Sequence, residues 1–176
     1  KVLGTSVRRK EDPRLLTGRG TFVDDLRPGA QIWHAAILRS PHGHARILRL
    51  DASKAEALPG VKAVLTGADV ARMCKPFPVG VSAPVKYYPM AIDKVRYAGE
   101  PVAVVVAKDR YAAEDALDAI EVDYEVLPAV IDPEEAAQPD APILHENVGS
   151  NVAVHRHLQY GDYEAAKAEA DVVVKT

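Results

Sequence analysis

A chain of 176 residues with 48% hydrophobic composition is long enough for one domain with its own apolar core. Its formal net charge of −3 and few aromatic residues argue against nucleic-acid binding, and its single cysteine rules out an internal disulfide or a thiolate cluster built from this chain alone. Iron–sulfur and zinc-ribbon readings fall with it. No apolar stretch approaches the roughly 20 residues that cross a bilayer, and the first twenty residues are charged rather than signal-like. The expected setting is therefore the cytoplasm. Arg8, Arg9, Lys10, Arg14 and Arg19 crowd the start, and the stretch from Asp109 to Glu146 is acidic. Solvated surface is the simplest reading of both. A first residue of Lys and a last Thr straight after Val172, Val173 and Val174 suggest an excised fragment ending in a truncated strand.

In chain order, "QIWHAAILR" from Gln31 to Arg39 predicts a buried strand, and "HARILRLD" to Asp51 alternates as its half-buried partner would, the two joined by a turn at "SPHG". "DASKAEAL" predicts a short helix capped by Asp51 or Ser53 and ended by Pro59-Gly60. "VKAVLT" predicts a strand. Gly67 and Asp69 open another short helix, and Lys75 to Pro89 predicts an extended surface loop.

Val95 to Tyr97 predicts a short strand, interrupted at Gly99-Glu100-Pro101 before the run "VAVVVA", which implies a strand covered on both faces. Gly99 is expected to carry a positive φ or to permit close backbone approach. Asp109 then caps a helix reaching Ile120, with Ala113, Ala116, Leu117 and Ile120 inward and Arg110, Glu114, Asp118 and Glu121 outward. "EVDYEV" predicts a strand with Val122, Tyr124 and Val126 inward. Beyond a mostly irregular stretch, Ile131 to Gly149, "NVAVHRHLQYG" predicts a strand and Asp162 caps a short helix through Ala170. "VVVK" begins the truncated strand.

Candidate chemistry is sparse. A dinucleotide site needs glycines between strand and helix, and "AKDRYAAEDA" has none there and an anionic Asp instead. GxxxxGK[ST], GxSxG and HExxH are absent from the sequence. His42/His44 and His155/His157 form HxH pairs that could share a metal on one strand face, but His42 falls in a turn and neither pair has a sequence-indicated third ligand. Glu114, Asp115 and Asp118 make an acid/base set only on paper, since they share the wet side of their helix. Cys74 has Lys75 beside it and no evident base. These readings leave no catalytic, cofactor-binding or metal-binding residue.

"EDPRLLTGRGTFVDDL", "HAAILRSPHGHARILRLD", "PGVKAVLTGADV", "VRYAGEPVAVVVAKDRYAAEDALDAIEVDYEVLPAVID" and "GDYEAAKAEADVVV" occur in the order found at the start of molybdenum hydroxylase large subunits. The chain thus resembles the xanthine dehydrogenase and aldehyde oxidase family, and "LLTG" after the arginine-rich opening looks most like its aerobic carbon monoxide dehydrogenase branch. Leu16 stands where many relatives have Lys, which speaks against the xanthine-type branch.

The resemblance implies an α+β fold, the α/β-hammerhead, with helices packed on a mixed sheet. It implies a basic arm over residues 1–15, the hammerhead over 16–132, and over 133–176 a connector and the start of a molybdenum-binding domain. The enzyme so implied oxidises or hydroxylates a small substrate at molybdenum held by molybdopterin (cytosine dinucleotide). Electrons leave it through two [2Fe–2S] clusters to FAD on partner subunits, in a dimer of heterotrimers. None of the family's site residues falls on a segment of this kind. The alternative is a free-standing hammerhead that serves only as an interaction module.

Overall fold

The computed structural model describes all residues except 1, 27, 30, 79, 81–83 and 175–176. The chain separates into two compact units, Lys1–Trp33 and His34–Thr176. In the first, helix α1 (Asp12–Leu16) begins with Pro13 in its first turn and buries no residue. The Thr17 hydroxyl donates to the Pro13 carbonyl at 2.7 Å and closes that helix. A single 3₁₀ turn follows at Val23–Asp25, where the Phe22 amide donates to the Asp25 carboxylate at 2.9 Å.

The second unit holds two three-stranded antiparallel sheets. The first has the order β1 (His34–Arg39), β5 (Pro101–Ala107), β3 (Val61–Thr66); the second has β4 (Lys94–Val95), β2 (Ala45–Asp51), β6 (Glu121–Val126). The chain is therefore α+β as expected, but its strands form two antiparallel sheets instead of one mixed sheet. Strand β5 is the centre of the first, in register from Ala107 opposite His34 and Val61 to Ala103 opposite Leu38 and Thr66. Val102, Ala103, Val105 and Ala107 are fully buried, so the uninterrupted apolar run has both faces covered.

Strands β1 and β2 are not partners, although a hairpin was expected. Ser40, the residue after β1, is 3% exposed; its amide donates to the Glu100 carbonyl at 2.9 Å and its carbonyl accepts from the Gly99 amide at 2.8 Å. The Arg39 guanidinium donates to the Gly99 carbonyl at 2.8 Å. These bonds hold the turn to the start of β5 and send the chain into the other sheet. Gly99 carries φ +87°, and a Cβ there would touch nothing within 4 Å, so the backbone conformation alone demands glycine. Strand β1 begins at His34 rather than Gln31, and as an edge strand it alternates half-buried with exposed residues.

Helix α2 (Ser53–Glu56) is held at its start by Asp51, whose carboxylate accepts from the Ser53 amide at 3.0 Å. Helix α3 (Gly67–Met73) opens with a reciprocal cap in which Asp69 accepts from the Thr66 amide at 2.8 Å. Gly67 is buried, and a Cβ on it would lie 1.8 Å from the Ala91 carbonyl oxygen. Helix α4 (Arg110–Leu117) is capped by Asp109, which accepts from the Ala112 amide at 2.8 Å. It buries Ala113 and Ala116, while Leu117 is half-buried and Asp118 exposed; the predicted extension to Ile120 is a turn. Alanine at the buried positions lets α4 lie close to the sheet.

One core cluster joins Ala55, Val64, Ala103, Val105, Ala116 and Ile120 beneath α4. A second joins Ala45, Ala91, Val95 and Val102. Leu50 and Val122, from the second sheet, pack against both. On the wet side of that sheet Arg46 sits 3.2 Å from Glu125 and Arg49 2.6 Å from Asp51, exposed pairs that solvent screens.

Three further expectations fail. Val126 is 63% exposed, because β6 leaves the core before its last residue. Asn151 to Gly161 forms no strand: a strand needs a paired backbone, and among the described residues nothing pairs with this segment, which lies almost wholly in solvent. Val172 to Val174 form none either, and Lys175 lies outside the described residues. Helices α5 (Pro133–Ala136) and α6 (Tyr163–Ala168) are short and bury nothing, each capped by an aspartate, Asp132 and Asp162. The described residues of Lys75 to Pro89 form no helix or strand and only one bridge, between Phe77 and Tyr87, with residues 79 and 81–83 outside the described set. No helix is long and apolar enough to cross a membrane among the described residues.

Two glycines are thus required for different reasons. Gly67→Ala drives a methyl into backbone and should cost about 3 kcal/mol or more, and Gly99→Val should cost about 2 kcal/mol through strain alone. Leu117→Ala should cost about 1–2 kcal/mol, being only half-buried, and Asp118→Ala less than about 0.5. Urea melts rank all four; an unchanged midpoint for Gly67→Ala would contradict the close approach to Ala91.

Candidate functional site

The second unit contains a cleft of about 550 Å³ between the segment that leads into β4 and β5 and the connector after α5. Its lining includes Tyr87, Tyr88, Met90, Arg96, Glu100 and His145. Strand β4 and the residues after it place these groups by alternation: Val95 is fully buried in the core, and the flanking Lys94 and Arg96 turn the other way.

Lys94 is 3% exposed, an unusual place for an ammonium, and it is held by Glu146 at 2.5 Å. Glu146 is itself 62% exposed in its side chain. Hydrogen bonding to Lys94 holds the Glu146 carboxyl below the usual carboxylate range. Arg96 donates through Nε to the Leu144 carbonyl at 3.2 Å and through Nη1 to the Lys94 carbonyl at 3.0 Å. Both residues therefore fasten the connector to β4. Asn151 closes the connector on itself, donating to the Ala136 and Pro142 carbonyls and accepting from the Leu144 amide.

Glu100 is 7% exposed and accepts from the Arg96 amide at 2.5 Å. Burial lifts its carboxyl above the ordinary range, against the pull of the Arg96 and Tyr97 amides and the Arg96 charge. Desolvation, then a hydrogen bond with Tyr97, pushes the Tyr87 phenol up to about 12. Burial, then the charges of Arg96 and Lys94, lowers the His145 imidazole below its ordinary value.

None of the sequence-weighed candidates lies in this cleft. His44 is 5% exposed, with Nδ1 2.6 Å from the Pro128 carbonyl and Nε2 unpaired among the described residues. His42 stacks edge-on against Tyr124, ring centroids 5.0 Å apart. His155 and His157 are exposed on irregular chain, so the strand geometry that would have aligned them is missing. Glu114, Asp115 and Asp118 are exposed on or beside α4. Cys74 ends α3, its thiol donating to the Val70 carbonyl at 3.3 Å. No three His, Cys, Asp or Glu side chains come close enough to hold a metal among the described residues. Arg96, Glu100 and His145 escaped the sequence reading because the fold, not the local pattern, brings them together. The one local signal was Lys94 and Arg96 on either side of a core valine.

Two antiparallel sheets with helices packed on them, and a buried, ion-paired lysine at the edge of the second, define an α+β domain. The aldehyde oxidase and xanthine dehydrogenase a/b hammerhead domain matches residues 17–128. The carbon monoxide dehydrogenase large chain of Afipia carboxidovorans is 40% identical over 98% of this chain and 23% of its own. Quinoline 2-oxidoreductase from Pseudomonas putida 86 superposes with a TM-score of 0.78 at 43% identity, covering 88% of this chain and 20% of that one. A Cu,Mo-CO dehydrogenase superposes with a TM-score of 0.72 at 38% identity over 96% of this chain and 23% of that one. The chain belongs to the aldehyde oxidase and xanthine dehydrogenase family and carries its hammerhead domain. It spans less than a quarter of the length of these relatives.

The Lys94–Glu146 pair makes an asymmetric prediction. Glu146→Gln leaves a buried ammonium without its counter-ion and should cost about 1–3 kcal/mol, more than Lys94→Met, which removes the buried charge altogether. Because the folded-state carboxyl of Glu146 is lowered, its contribution is complete above its unfolded value and fades as pH falls through the folded one. Melts of wild type and Glu146→Gln should differ at pH 7 and converge at strongly acid pH. A constant difference across that range would remove Glu146 as the titrating partner.

Proposed function

We propose that this chain is the N-terminal structural part of the large subunit of a molybdenum-cofactor oxidoreductase of the carbon monoxide dehydrogenase, xanthine dehydrogenase and aldehyde oxidase kind. The parent enzyme oxidises or hydroxylates a small substrate. In this reading residues 1–15 are a basic arm, 16–132 the hammerhead, and 133–176 the connector and start of the molybdenum-binding domain. The observation that carries it is the family match through most of a chain that spans 23% of the Afipia carboxidovorans large chain.

The described residues do not fit the implied cofactors. They offer no group of three metal-ligating side chains, and a lone Cys74 cannot hold a [2Fe–2S] cluster. We therefore assign molybdopterin, as its cytosine dinucleotide, to the rest of the large subunit, and the iron–sulfur clusters and FAD to partner subunits in a dimer of heterotrimers in the cytoplasm. The role of this segment is to place neighbouring chain and exclude water, with no catalytic, cofactor-binding or metal-binding residue of its own.

The test compares the 176-residue chain with the complete product of its gene. The chain alone should hold no stoichiometric molybdenum and give no dye reduction with carbon monoxide, purines or aldehydes. The complete product, with its partner subunits, should do both. Turnover by the chain alone would overturn the scaffold assignment.

A further inference from the structure

Of the cations lining the cleft, the half-buried Arg96 has no ion pair within 4.0 Å among the described residues, although its charge acts at longer range on Glu100 and Glu146. Glu100 already accepts from the Arg96 and Tyr97 amides, Glu146 is paired with Lys94, and Asp93 is exposed. Arg96 is half-buried, and its only side-chain partners among the described residues are two backbone carbonyls. No carboxylate oxygen comes within 4.0 Å of its guanidinium among those residues, and Nη2 makes no hydrogen bond there. A guanidinium held rigid by carbonyls, with part of its donor fork unused, is built to receive a planar anion.

The remaining lining says what that anion is attached to. Tyr87 and Tyr88 supply aromatic surface, Met90, Ala91 and Ile92 an apolar wall, and Lys86 a second, exposed cation without an ion pair among the described residues. His145 adds an imidazole that can donate one hydrogen bond. A volume of about 550 Å³ is ordinary for a small-molecule pocket. Asp93 and Glu100 oppose a second negative charge, which favours a monoanion over a phosphate dianion.

We propose that this cleft is a binding site for a carboxylate, held by Arg96 with its carrier against the aromatic and apolar wall. The carboxylate has two possible sources, a free small acid or an acidic side chain from polypeptide outside this chain. The site does not depend on the enzyme reading: failure to bind carboxylate leaves the molybdenum content of the complete enzyme untouched, and the reverse holds.

The probe is benzoate, with benzamide as the neutral isostere and benzylamine as the cation, titrated into isotope-labelled chain and followed by NMR. Benzoate should shift the Arg96 and His145 signals to saturation, bind better than either control, and weaken at least about tenfold in Arg96→Met. Arg96 also fastens the connector, so if Arg96→Met does not fold, the wild-type shift map and the ranking of the three probes decide. Shifts elsewhere, equal binding of benzamide, preference for benzylamine, or no binding would each overturn the proposal. The same titration on the complete subunit separates the sources. Retained benzoate binding identifies a free acid. Lost binding with Arg96 shielded from phenylglyoxal identifies a polypeptide carboxylate, and lost binding with Arg96 still reactive overturns the site.

Discussion

Strand β5 is the constraint on which the rest of the second unit depends. It is paired on one edge with β1 from Pro101 to Ala107 and on the other with β3 from Ala103 to Ala107, and it is covered on both faces. Alternation divides its side chains between the cores: Val102 enters the cluster shared with Ala45 and Val95, and Ala103 and Val105 enter the one beneath α4. Full burial of a valine is worth about 1.5–3 kcal/mol, and here it also fixes register, since a slip of one residue would exchange the two cores. Pro101 suits the first position, where the strand starts and a missing amide costs least. At the other end Asp109 caps α4 within two residues of the last strand position, so the helix leaves β5 in one direction only.

The same strand anchors the cleft. Just before Pro101, Gly99 and Glu100 bond to Ser40 through their backbones, and Glu100 turns its carboxyl back onto the Arg96 amide. Strand β4 is pinned against β2 by Ala45 opposite Val95. The cleft wall thus consists of residues whose backbones are fixed by sheet or by tight turns. The opposite wall is different in kind. The connector around His145 has no ladder of its own among the described residues, and it is held by Lys94, Arg96 and the side-chain carbonyl of Asn151.

What could be read in the sequence was what short-range pattern encodes. The continuous run of β5, the Asp109 cap and the alanine face of α4 each require only neighbours a few residues away, and all three appear as expected. Pairing was not legible. Strands β1 and β2 are adjacent and suitably apolar, yet hydrogen bonds from Ser40 to residues some sixty positions on separate them into different sheets. The alternation of Asn151 to Gly161 was equally misleading, because alternation describes a surface that needs a partner and does not supply one. The cleft was invisible for a related reason. Arg96 meets Leu144 only after two sheets and a connector have been assembled, and nothing in "KVRYAGE" marks its arginine apart from a basic residue on each side of a core valine.

Burial of Lys94 gives that alternation a structural consequence. A buried ion pair contributes little net stability over well-packed apolar side chains of equal size, because desolvation offsets most of the attraction. An apolar residue at this position would satisfy β4 as well, but it would offer Glu146 nothing. With a buried ammonium in place, a connector that strays leaves a charge without partner, a far larger penalty than loss of a surface contact. The buried ammonium thus adds to the hydrogen bonds of Arg96 and Asn151 in holding the connector. Whatever follows it in the chain starts from a position set by β4, and through β4 and β2 by the packing of Val95 and Val102.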